Sequence, residues 1–166
     1  SKNIEGLLQA WKEVNGKFTD INLVIAGKKG WLYDSIFKKV QELGLKDSVI
    51  FTDYVDEEDK PELIAGAKVF TLPSFWEGFG LDPLNAMAVG TPVVVSNVGS
   101  LPEVVGDAGL YVDPEKPSDI ASKLKKVLNM GKKDYNKLVE AGYKQADKFS
   151  WEKTARETLK ILEKVK

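Results

Sequence analysis

The 166-residue chain has no cysteine and no histidine. The first absence excludes disulfides, thiolate metal sites and cysteine nucleophiles. The second removes the commonest general base and metal ligand. No apolar run approaches the roughly 20 residues needed to span a bilayer. The opening Ser1-Lys2-Asn3-Ile4 has neither the apolar stretch nor the cleavage site of a secretory leader. Net charge is nearly absent as well: 24 basic and 25 acidic side chains leave −1, which gives no electrostatic case for nucleic acid as a partner. These absences lead to the expectation of a soluble, cytoplasmic domain with no transmembrane segment. Hydrophobic residues make up 43% of the chain, enough for a core at a length that suits one domain.

Helical and strand patterns alternate along the chain. Ile4, Leu7, Leu8, Trp11 and Val14 recur at three- and four-residue spacing, an amphipathic helix. The run Ile21 to Gly27 reads as a buried strand stopped by glycine. Leu32, Ile36, Phe37, Val40 and Leu43 mark a second helix, with Gly44 as its C-cap. Val49-Ile50-Phe51 is a short strand, Pro61 opens a short helix, and Lys68 to Leu72 is a strand broken by Pro73-Ser74. A helix over Leu84 to Val89, a strand over Pro92 to Ser96 and an edge-like strand at Leu110-Tyr111-Val112 follow. The rest reads as three helices, near 117–130, 133–148 and 151–165. Alternation of this kind predicts an α/β fold, a Rossmann-like doubly wound parallel sheet with helices on both faces. Such a domain ordinarily opens on its central strand. This chain opens on a helix, which leads us to expect that the first strand lies upstream of Ser1 and that the sheet lacks it, with an open edge that offers a route to dimerisation.

The most informative segment is Pro73-Ser74-Phe75-Trp76-Glu77-Gly78-Phe79-Gly80-Leu81-Asp82-Pro83. It joins a strand's carboxyl end to a helix start, where open α/β sheets bind their ligands. Glycines on both sides of Phe79 let backbone approach a ligand closely, and the free amides and dipole of the following helix suit a diphosphate. A Gly-x-Gly before a helix is by itself weak: it lacks the third glycine of the dinucleotide fingerprint and the Gly-Lys-Ser/Thr ending of a P-loop.

In combination, the motifs are specific. Ser74-Phe75-Trp76-Glu77-Gly78-Phe79-Gly80-Leu81, then Ala86-Met87-Ala88 and Gly90-Thr91-Pro92-Val93-Val94, resemble the signature of the family-four (group 1) retaining glycosyltransferases of GT-B fold. Ser96 to Ala108 also resembles that family; within it, Ser100-Leu101-Pro102-Glu103 is similar to mannosyltransferase-like members, and Phe149-Ser150-Trp151-Glu152 resembles the start of the family's last helix. The likeness covers nearly the whole chain and matches the family's C-terminal, nucleotide-sugar-binding domain. It implies a single donor-binding domain over 1–166, partnered by an N-terminal acceptor domain of the same parent protein. Any peripheral membrane contact would run through that other domain. The ligand implied is a nucleoside diphosphate sugar, GDP-linked (GDP-mannose) in preference to UDP- or ADP-linked, used for retaining hexosyl transfer in polysaccharide biosynthesis. No further cofactor and no metal are implied, and the domain alone is expected to bind donor without turnover.

Residue by residue, the resemblance places Glu77 beside the donor sugar as the catalytic group. Ser74 and the backbone of Gly78, Phe79, Gly80 and Leu81 hold the diphosphate and sugar, and Lys2 neutralises the diphosphate. Tyr54 and Val55, in the loop near Asp53, hold the base. Two positions depart from the pattern. Asn85 stands where the family carries a second glutamate that holds the ribose hydroxyls; an amide still donates and accepts hydrogen bonds but brings no charge. Asp53 stands where the family often has glycine.

Blander readings accompany these. Lys28 and Lys29 read as an exposed basic turn, and Asp56-Glu57-Glu58-Asp59 as a solvated helix start without calcium-loop spacing. At least one of Phe75, Trp76 and Phe79 reads as wall packing. The apolar sides of the last helices, including Leu159, Leu162 and Val165, read as sheet-covering or domain-docking faces. A degenerate, non-catalytic nucleotide-binding or interaction module is the alternative function, kept open by Asn85. A receiver-like domain is disfavoured, because only one acid, Asp53, sits among the strand ends.

Overall fold

The computed structural model describes residues 2–28 and 33–164. Lys29 of the basic turn, Leu32 at the expected helix start, and Val165 lie outside the described residues. In chain order the elements are α1 (Ile4–Asn15), β1 (Leu23–Ala26), α2 (Tyr33–Glu42), β2 (Val49–Asp53), α3 (Lys60–Ala65), β3 (Phe70–Leu72), α4 (Leu81–Ala88), β4 (Val93–Ser96), α5 (Leu101–Val105), β5 (Gly109–Val112), α6 (Pro117–Leu128), α7 (Lys132–Ala146) and α8 (Trp151–Lys164). The alternation expected from sequence is present. Two details differ. Helix α4 starts at Leu81, three residues before the apolar pattern shows it, because Pro83 sits in its first turn, where no N–H is required. Helix α5 has no sequence counterpart, since five residues are too few to display a period.

All pairings are parallel: β1 with β2, and β3-β4-β5 as a three-stranded sheet. These correspond to positions 3-2 and 4-5-6 of the doubly wound order 3-2-1-4-5-6. Among the described residues, no strand pairs with the second edge of β1 or of β3.

Strand β4 lies at the centre of the larger sheet and is buried at all four residues. Its period-two alternation divides the core. Val94, with Val112 of β5, faces a cluster built by Leu7, Leu8 and Trp11 of α1 and by Ile120 and Leu124 of α6. Val93 and Val95 face the opposite side, against Ala86 and Met87 of α4 and Leu101 and Val105 of α5. Helix α7 covers that side: Gly142 fits against Met87, and Gln145 donates to the carbonyl of Val104 at 2.9 Å. On the first side, the Trp11 indole donates to Ser48 Oγ at 3.2 Å, tying α1 to the approach to β2.

The ladder between β1 and β2 slips at its carboxyl end. Ile25 faces Phe51, but Ala26 faces Asp53. The extra residue is a bulge, a device that redirects the chain at the end of a strand. Asp53 there takes the left-handed conformation, φ 62°, and its carbonyl accepts the Gly27 amide at 2.9 Å. This explains the departure at position 53: the backbone requires a positive φ, which glycine adopts freely and aspartate tolerates.

Helix α8 is amphipathic but has no buried residue. Trp151, Leu159, Ile161 and Leu162 are all more than half exposed. Of the last three helices, α6 and α7 are therefore sheet-covering and α8 is not. No helix among the described residues is long and apolar enough to cross a membrane.

The burial contrast sets an expected outcome. Leu8 is 0% exposed and Leu159 is 55% exposed. In urea denaturation Leu8→Ala is expected to cost about 2–5 kcal/mol, while Leu159→Ala stays within about 0.5 kcal/mol of the parent chain.

Candidate functional site

The site is built on the loop between β3 and α4, at the carboxyl end of the larger sheet. Ser74, fully buried, donates its hydroxyl to Glu77 Oε1 at 2.6 Å. Lys2 Nζ, from the start of the chain, donates to the same oxygen at 2.7 Å. The Glu77 side chain retains 14% of its exposure, the Lys2 side chain 51%. Partial burial pushes the Glu77 carboxyl upward, but the hydrogen bonds from Lys2 and Ser74, with the lysine's charge, outweigh it and hold the group below its ordinary range. Lys2 is placed by its neighbour: Asn3 donates from Nδ2 to the carbonyls of Pro73 (3.0 Å) and Pro114 (2.7 Å), pinning the start of α1 across the ends of β3 and β5.

After Glu77 the chain turns into α4 through Gly80, φ 107°. A side chain there would be strained and would overlap Leu101, so glycine is required. Gly78 is different: it has no positive φ, and a methyl would meet only the Trp76 ring in ordinary contact. Helix α4 has no side-chain cap. The amides of Gly78, Phe79, Gly80, Leu81 and Asp82 have no acceptor among the described residues. Five unpaired donors leading into the positive end of a helix dipole form a place for an anion.

The sequence-predicted residues fall into three groups. Lys2, Ser74 and Glu77 are in direct contact. The backbone of Gly78, Phe79, Gly80 and Leu81 continues from them, with Asn85 one turn further along α4 and exposed. Tyr54 and Val55 lie beyond the β2 bulge; Tyr54 is 52% exposed, and its amide is held by the Asp53 carboxylate at 3.0 Å. Lys60, just beyond that loop, pairs with Glu57, and that hydrogen bond raises its pKa.

Two further contacts near the Tyr54 and Glu77 loops are set by the tertiary structure and not by spacing along the chain. Lys28 lies 4.8 Å from the centroid of the Tyr54 ring, a cation–π contact. Gly99 and Ser100 lie behind the Glu77 loop: Gly99 has φ 55°, and any side chain there would overlap the Glu77 carbonyl. Of the aromatics, Phe79 meets Phe149 edge-on at 6.1 Å, as wall packing does. Trp76 is 67% exposed. Phe75 borders two open grooves, of about 990 and 620 Å³; Lys2 lines the larger, and Glu77 lines neither.

Comparison with known proteins adds four findings. Residues 1–145 match the family model "Glycosyl transferases group 1". The chain is 40% identical over 163 residues to O-antigen chain mannosyltransferase B of Escherichia coli, covering 95% of this chain and 42% of that one. Its fold superposes with TM-score 0.79 at 26% identity on the C-terminal domain of a group 1 glycosyl transferase from Francisella tularensis, covering 89% of this chain and 79% of that one. It superposes with TM-score 0.83 at 19% identity on Anabaena HepE in complex with UDP and glucose, covering 95% and 44%; at that identity the likeness concerns the fold. The chain thus spans less than half the length of the curated mannosyltransferase it matches.

The site sets a pH-dependent outcome. Because the Glu77 carboxyl titrates below its ordinary 4.5 in the folded chain, its ionised contacts stabilise the fold fully above that value. The contribution fades as pH falls through the lower, folded pKa. The stability difference between the parent chain and Glu77→Gln is therefore expected to plateau above about pH 5 and to shrink toward zero on acidification. Urea denaturation across that range measures it; a difference that stays constant with pH contradicts the assignment.

Proposed function

This chain belongs to the glycosyl transferases group 1 family, and from that membership we propose that it is the donor-binding half of a two-domain glycosyltransferase. The observation that carries this reading is the Lys2–Glu77–Ser74 contact set beside five amides without acceptors at the start of α4. A cation and outward-facing amides suit a diphosphate; a carboxylate beside them suits sugar hydroxyls. The domain assignment draws support from the Francisella C-terminal domain, of which this chain covers 79%. In the parent protein, the preceding segment supplies the strand between β1 and β3, and the N-terminal domain supplies the acceptor site.

In this reading a nucleoside diphosphate sugar lies along the carboxyl ends of the strands. Its base meets Tyr54 and Val55, and its diphosphate meets the Gly78–Leu81 turn. Its sugar meets Glu77. Hexosyl transfer with retention proceeds through an oxocarbenium-like transition state, and negative charge grows on the departing diphosphate. Lys2 and the turn amides stabilise that charge without reorganising. Lys2 is engaged with Glu77 in the unliganded chain, so donor binding redistributes its three N–H donors between the carboxylate and a phosphate oxygen. The mannosyltransferase names of relatives support a mannose-carrying donor, for which we propose GDP-mannose; HepE, with UDP and glucose bound, keeps the uridine alternative in view.

A second reading, a nucleotide-binding module without turnover, is favoured by one observation. Asn85 is exposed on α4 and brings no carboxylate to the ribose.

Two experiments test the proposal. Titration of the chain with GDP, UDP and ADP is expected to shift the amides of Gly78 to Leu81 and Tyr54, most strongly for one nucleotide. In the full-length parent, Glu77→Ala is expected to lower transfer by about a hundredfold or more. A fully active Glu77→Ala parent rejects the catalytic assignment, and a parent that binds a nucleotide there but transfers no sugar selects the second reading.

A further inference from the structure

Two carbonyls of the Glu77 loop are gripped from behind by one residue on the neighbouring strand's loop. The Ser100 hydroxyl donates to the carbonyl of Phe79 at 2.5 Å, and the Ser100 amide donates to the carbonyl of Glu77 at 3.4 Å. The hydroxyl also lies 3.3 Å from the Glu77 carbonyl. A serine hydroxyl has one proton to give, so the short contact to Phe79 takes it and the backbone amide serves Glu77. Gly99 makes this approach feasible, because any side chain at that position would overlap the Glu77 carbonyl.

Peptide units are planar and trans, so a carbonyl and the N–H that follows it point in opposite directions. Drawing the Glu77 and Phe79 carbonyls toward Ser100 therefore aims the amides of Gly78 and Gly80 away from it. Those are two of the amides without an acceptor among the described residues, and Gly80 is itself a buried residue. Amides that the chain itself leaves without an acceptor, at a helix start, are open to one supplied by an anionic ligand. We propose that Ser100 is a positioning residue that sets the anion cradle: its hydroxyl orients the Gly80 amide, its own amide orients the Gly78 amide, and both face the donor's diphosphate. The last clause rests on the donor-site reading above; the orienting role does not.

The division of labour makes the test specific. Ser100→Ala removes the hydroxyl and keeps the backbone amide. Residual dipolar couplings in the ligand-free chain are expected to show the Gly80 N–H reoriented and the Gly78 N–H unchanged. Affinity for whichever of GDP or UDP the parent chain binds is expected to fall about five- to tenfold, with a thermal midpoint lowered by no more than about 4 °C. Ser100→Thr, which keeps the hydroxyl, is expected to restore both readings. An alanine variant with an unmoved Gly80 N–H, or a threonine variant that loses both readings as alanine does, overturns the proposal. If the parent chain binds neither nucleotide, the donor reading fails, while the ligand-free couplings still decide the role of Ser100.

Discussion

The burial of β4 on both faces is the constraint from which the rest of the structure follows. Four consecutive residues, Val93 to Ser96, are removed from water, so apolar helices must cover both sides of the sheet. Helices α1 and α6 pack on one side and α4, α5 and α7 on the other. Each parallel strand then ends at the same rim, and the loops that lead into α4 and α5 lie next to one another there. The proximity of Ser100 to the Glu77 loop is a direct consequence of β3 and β4 pairing side by side in parallel.

On that rim, electrostatics takes over from burial. A partly buried carboxylate is unfavourable unless cations and donors surround it. Glu77 has a buried hydroxyl on one side and an ammonium on the other, both on the same oxygen. The amides beyond it are the complementary half: positive, fixed by the turn, and not taken up by the chain itself. A fixed set of donors next to a fixed acid suits a ligand that carries both phosphate and sugar.

Two parts of the chain stand apart from this economy of contacts. Helix α8 has the strongest segregation of apolar and charged residues yet buries none of them, so its face adds nothing to this domain's own core. Asn85 lies one turn into α4 and is exposed, with an amide side chain that brings no charge to the rim.

Much of this was legible in the amino-acid order. Short apolar runs, helical spacing and the breaks at Gly27, Gly44 and Pro73 mark nearly every element, because each depends on residues close together in sequence. The Glu77 motif and its family follow from adjacent residues in the same way. What the order could not show is set by contacts distant along the chain. Lys2 reaches Glu77 across 75 positions and Ser100 reaches Phe79 across 21; no spacing rule encodes such pairs. The bulge that turns Asp53 left-handed depends on its register with Ala26. The direction in which the Gly78 and Gly80 amides point is likewise a tertiary property, since a peptide plane is free to rotate until a distant group takes hold of its carbonyl. Local sequence thus determined the elements and the chemical identity of the site. Strand pairing, the anchoring of the chain start by Asn3 and the Ser100 contacts decided which groups meet there.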